Sequence, residues 1–130
     1  MARQSLWDEF EAAILLDACI QTEAGELSKK EAIREVSETL RHRAVVCGKK
    51  IDDVFRNVNG ITMQYSIMDC ILMGRKVIPH DGSALFYDTV ALYKEDREEF
   101  NKLVRTAKRQ CVYGMEYELE QEAEDEPDFD

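Results

Sequence analysis

The segment Phe55-Arg56-Asn57-Val58-Asn59-Gly60 gathers groups suited to holding an anion. A guanidinium is a planar fork of donors that matches phosphate or carboxylate, and a glycine lets the backbone approach a ligand closely. Asn57 and Asn59 are residues that bond backbone groups in turns. Asn59 is placed to cap the helix that follows, and the open amides of that helix's first turn are a natural seat for phosphate. Cations surround the segment: Arg41, Arg43, Lys49, Lys50, Arg56, Arg75 and Lys76 all fall in the central third. The helix after Asn59 presents Thr62, Gln64 and Ser66, short polar side chains able to meet base edges. The predicted site is a nucleic-acid face of Lys49, Lys50, Arg56, Asn59, Thr62, Gln64, Arg75 and Lys76, its cations on phosphates setting the register. The competing reading is a solvated charged face with an ordinary helix cap, and Asp52 and Asp53 dilute the local field.

Other chemistry is thin. The sequence has no Gly-rich phosphate loop, nucleophile elbow or H-E-x-x-H. His42 and His80 are isolated, and His42 with Cys47 would need two more ligands to hold zinc. The expectation is a protein that is not an enzyme, with no catalytic residue, metal or cofactor. Asp17 stands seven residues after Phe10 and three after Ile14, on an otherwise apolar face. A carboxylate there requires a partner, expected to be a neighbouring helix start or an arginine.

The elements that must position these groups are helices. Ser5 precedes a first helix over about residues 6–22, ended by Gly25. Ser28-Lys29-Lys30-Glu31 forms a capping box for a second helix bearing Ile33, Val36, Leu40 and Ala44, with Gly48 as its stop. A third runs from Asn59 through about Met73, with Ile61, Met68 and Leu72 inward and Gly74 beyond. Pro79 and Asp81-Gly82 mark a link. Ser83 opens a fourth helix with Phe86, Val90 and Tyr93, and Asp96 and Glu99 frame a fifth with Phe100, Leu103, Val104 and Ala107. Lys76-Val77-Ile78 is the only short strand candidate. The fold class is all-α: a compact bundle of about five helices, with a helix-turn-helix-like unit made by the second and third.

Charge divides the chain. Of its 130 residues, 115–130 hold nine Asp/Glu and no Lys/Arg, whereas the first 114 hold 17 basic and 18 acidic groups. Within those 114, residues 1–40 carry −5, 41–80 carry +4 and 81–114 balance. The organisation expected is a helical domain over 1–114 and a mobile, disordered acidic tail over 115–130. At 45% hydrophobic the chain can build a core. Its longest apolar run, Ala12–Leu16, is far short of the roughly 20 residues of a membrane span. Four cysteines without a C-x-x-C pair, and an N-terminus that runs quickly into Asp8, Glu9 and Glu11, point to a reduced, cytoplasmic setting.

Trp7 through Leu72 resembles an N-terminal helical module of bacterial HNH endonucleases and restriction-type proteins. The likeness rests on Trp7 with Glu9, Glu11, Leu15, Leu16 and Asp17, on VSETLR at 36–41, and most specifically on FRNVNGITMQ at 55–64. Stand-alone forms from gut Firmicutes and their mobile elements look similar over about residues 7–110. The resemblance implies that the helix after the motif contacts DNA. It implies no nuclease activity, because the chain carries none of the histidines and asparagines of an HNH centre.

Two functions follow as expectations. One is a non-catalytic DNA-binding accessory module using the basic 41–80 region, with the tail tempering that contact or recruiting a second protein. The alternative is a phage or mobile-element inhibitor that binds a nuclease or defence protein. Its acidic tail would then imitate a row of phosphates, anchored by Tyr117, Leu119 and Phe129.

Overall fold

The computed structural model describes residues 6–77 and 83–113, with the backbone alone for 111–113. Ser5, Pro79, His80, Asp81-Gly82 and the 115–130 tail lie outside the described residues. Five helices make up the fold: α1 (Glu9–Glu23), α2 (Lys29–Val46), α3 (Val58–Leu72), α4 (Ser83–Glu95) and α5 (Arg97–Tyr113). No strand occurs among the described residues, and Lys76 and Val77 are irregular. No helix among them is long and apolar enough to cross a membrane.

Side-chain caps set the helix starts. Asp8, and not a residue near Ser5, begins α1: its Oδ1 accepts from the Glu11 amide at 2.8 Å while Glu11 accepts from the Asp8 amide at 3.1 Å. Ser28 and Glu31 form the expected reciprocal box at α2. Asp96 caps α5 through the Glu99 amide. At α3 the cap is Asn57, whose Oδ1 accepts from Gly60 N at 2.8 Å, and not Asn59. The missing side chain of Gly60 makes room for it, since a Cβ there would sit 3.2 Å from that oxygen. Gly48 and Gly74 follow α2 and α3 with φ of 90° and 79°, the left-handed C-terminal stop.

Helix α1 lies at the centre and packs against all four others. Ala12, Ala13, Ile14, Leu15, Leu16, Ala18 and Cys19 are all buried, so its apolar surface runs round the helix instead of forming one stripe. The surrounding helices turn Ile33, Val36 and Leu40 (α2), Ile61, Tyr65 and Met68 (α3), Phe86 and Val90 (α4) and Phe100, Val104 and Ala107 (α5) toward it. The α2–α3 unit is joined by residues 47–57, longer than the three- or four-residue turn of a DNA-reading helix-turn-helix.

Candidate interaction face

Arg56 does not face outward as the sequence suggested. Its side chain is 2% exposed, and Nε and Nη2 donate to the two carboxylate oxygens of Glu11 at 2.9 and 3.0 Å. Nη2 also donates to the Leu6 carbonyl at 3.3 Å. The guanidinium carbon lies 4.8 Å from the Trp7 ring centroid and 4.6 Å from that of Phe55. A planar, weakly hydrated cation can be buried when its donors are met bidentately and its faces are covered by rings.

The backbone at Arg56 is left-handed, φ 46°, which costs a non-glycine residue about 1–2 kcal/mol. Its surroundings hold it there. Ser37 Oγ on α2 donates to the Arg56 carbonyl at 2.8 Å, and Arg41 donates to the carbonyls of Asp52 and Phe55. Trp7 packs edge-on against Phe86 of α4 at 5.6 Å. Arg56 thus ties the start of α1, the middle of α2 and the entry to α3 into one unit. Asp17 takes a different partner from the arginine or helix start expected: its Oδ2 accepts from Gln21 at 2.8 Å and from Lys108 at 2.9 Å.

The remaining predicted site residues are not brought to one surface beside the start of α3. Lys49 and Lys50 are exposed in the link that enters α3, and Arg75 and Lys76 are exposed beyond its far end. Arg75 and Lys76 thus lie past the end of a helix of 15 residues, about 22 Å from its start. Arg43 is engaged internally, with Asp8 at 3.1 Å, Gln110 at 3.2 Å and the Phe10 ring at 5.5 Å. Asn59 and Thr62 are exposed, whereas Gln64 is half-buried on the flank of the helix.

What the structure does bring together is the outer side of α3. At 100° per residue, Val58, Asn59, Thr62, Met63 and Ser66 share one face with Met73 just past its end, opposite the buried Ile61, Tyr65 and Met68. Val58, Met63 and Met73 are 48%, 61% and 43% exposed, and Val54 in the entering turn is 54% exposed. The one charged residue within α3, Asp69, falls between Val58 and Thr62 on this face but is half-buried, and its Oδ1 is shielded with no partner among the described residues. In a chain that is 34% charged, a solvent face whose single charge is half-buried is a marked departure. Sequence reasoning passed over Val58, Met63 and Met73; the signal was apolar residues lying off the stripe defined by Ile61 and Met68.

No protein-family model, curated protein or solved structure matches this chain. The likeness to the HNH-associated module therefore rests on the quoted motifs, and most of their residues have structural duties. Trp7 and Phe55 lie against Arg56, Glu11 pairs with it, and Asn57 caps α3 through the Gly60 amide. Of the hexapeptide, Val58 and Asn59 are turned to solvent.

Proposed function

We propose that this chain is a non-catalytic interaction module whose outer α3 face seats an apolar patch of another protein. Carboxylates of that partner meet Lys49 and Lys50 at one end and Arg75 and Lys76 at the other. The observation that carries the reading is the exposure of Val58, Met63 and Met73 on a side of α3 whose one charged residue, Asp69, is half-buried. Covering such a face desolvates one ion, the already half-buried Asp69, and methionine is enriched where proteins meet. The Trp7–Glu11–Phe55–Arg56 cluster favours the same reading. It fixes the entry to α3 before any partner arrives, so little ordering cost falls on binding.

Duplex DNA is the second reading, favoured by Asn59, Thr62 and Ser66 on the same face with cations beyond both ends of the helix. It loses Arg56 as a contact.

The test uses the full-length chain with a photoreactive residue at Met63 in the cells that express it. The captured protein is then purified and titrated against the unmodified chain. Met63→Asp should weaken that complex at least tenfold, about 1.4 kcal/mol, and Lys102→Asp on α5 should leave it within about twofold. A random duplex at about 50 mM salt should not bind. Salt-dependent duplex binding that Met63→Asp or Thr62→Ala weakens would replace the protein partner with DNA.

A further inference from the structure

We infer that an open groove between the end of α3 and the outer side of α4 is the docking site of this chain's own acidic segment, residues 115–130. The groove has a volume of about 470 Å³. The buried Ile71 and Val90 form its floor, and Tyr87, 45% exposed, forms a wall. Arg75, Lys76 and Lys94 line it with three exposed cations against one carboxylate, Glu95. A cationic rim over an apolar floor suits an anionic peptide that also carries apolar anchors, because charge alone gives little specificity.

Residues 115–130 have that composition: nine carboxylates, no cation, and Tyr117, Leu119 and Phe129 among them. Reach is sufficient. Helix α5 ends at Tyr113 and packs alongside α4, to which Asp96 alone joins it. Its 17 residues measure about 25 Å, and a further 16 residues extend to roughly 50 Å. Tethering raises the local concentration to about the millimolar range, so the chain's own carboxylates outcompete dilute acidic peptides. Lys102 and Arg105 are closer to the segment, but they stand on an exposed helix face beside Glu98. Occupancy of the groove covers Arg75 and Lys76, so the segment competes with any partner carboxylates at that end of α3. The inference holds whether or not the outer α3 face binds a partner.

The experiment compares amide NMR spectra of the full-length chain with a full-length variant in which the nine carboxylates of 116–130 are converted to Gln or Asn. Differences are expected at Gly74, Tyr87, Ala91 and Lys94, at every protein concentration. They should vanish in Arg75→Glu/Lys76→Glu and persist in Lys49→Glu/Lys50→Glu. Zero-length carbodiimide coupling should join Lys76 or Lys94 to 116–130 in a product of monomer mass. Its yield should fall at least fivefold as salt rises from about 0.01 to about 1 M and the Debye length shrinks from about 30 to about 3 Å. Differences confined to α5 around Lys102 and Arg105, or no differences at all, would overturn the assignment. So would concentration-dependent differences with products of dimer mass, which place the segment on a second copy.

Discussion

At position 56 a cation is buried because the guanidinium is answered by the Glu11 carboxylate and by the Trp7 and Phe55 rings, whose centroids lie 4.8 and 4.6 Å from it. Removing one partner strands the other in an apolar cluster, so Arg56→Ala and Glu11→Ala should each cost about 3–5 kcal/mol in urea unfolding. Replacing both, as Glu11→Leu with Arg56→Met, should cost far less than the sum, since an apolar pair of similar volume is close to neutral with a buried ion pair. Near-zero single costs would mean that Arg56 is not a strut. The sequence showed the ingredients of this cluster without their arrangement. Both Glu11 and Asp17 lie on the first helix, and only the packing angle of α1 decides which points at residue 56. Glu11 points inward and also closes the Asp8 cap, whereas Asp17 turns toward Lys108 of α5.

Helix α3 has two sides with opposite expected responses. Met63 is 61% exposed and Met68 fully buried, so the same residue type reports both. Met63→Asp should leave stability within about 0.5 kcal/mol, while Met68→Ala should cost about 2–5 kcal/mol through the cavity it leaves. Thermal unfolding of the two variants checks the pair, and a destabilising Met63→Asp would place that side chain in the core. Elements were the most legible level of this protein. Helical spacing and the Ser28-x-x-Glu31 and Asp96-x-x-Glu99 signals located α2 and α5, because caps and periodicity are local properties of the chain. The start of α3 was misplaced by two residues, as Asn57 and Asn59 offer the same amide. The choice falls to Asn57, whose Oδ1 accepts from Gly60 N three residues on, the same spacing as the Asp8, Ser28 and Asp96 caps. The outer face was less legible, since scattered apolar residues off the core stripe form no motif.

The whole molecule is organised around α1, and the run Ala12–Leu16 was the trace of this in the sequence: a helix apolar on every side belongs inside. A group buried in that helix therefore reports on the stability of the entire bundle. Cys19 is fully buried, and burial, with Asp69 and Glu23 adding to it and Lys29 opposing, pushes its thiol well above the ordinary 9.0. Below pH 9.0 the thiol is protonated in both folded and unfolded chains, and its burial contributes fully to stability. Above that pH the unfolded chain loses the proton while the folded one keeps it. Stability then falls by up to about 1.4 kcal/mol per pH unit for this one group. Tyr65, raised by burial from 10.0, adds a loss of the same sign at higher pH. The urea midpoint should accordingly decline between pH 8 and pH 10.5, and Cys19→Ala should decline less steeply above pH 9 although it starts from a lower midpoint. Thiol labelling at pH 8 gives an independent check, with exposed Cys47 reacting quickly and Cys19 reacting only as fast as the protein unfolds. Equal slopes for the two proteins, or rapid labelling of Cys19 in the folded state, would show that α1 does not occupy the sealed centre of the bundle.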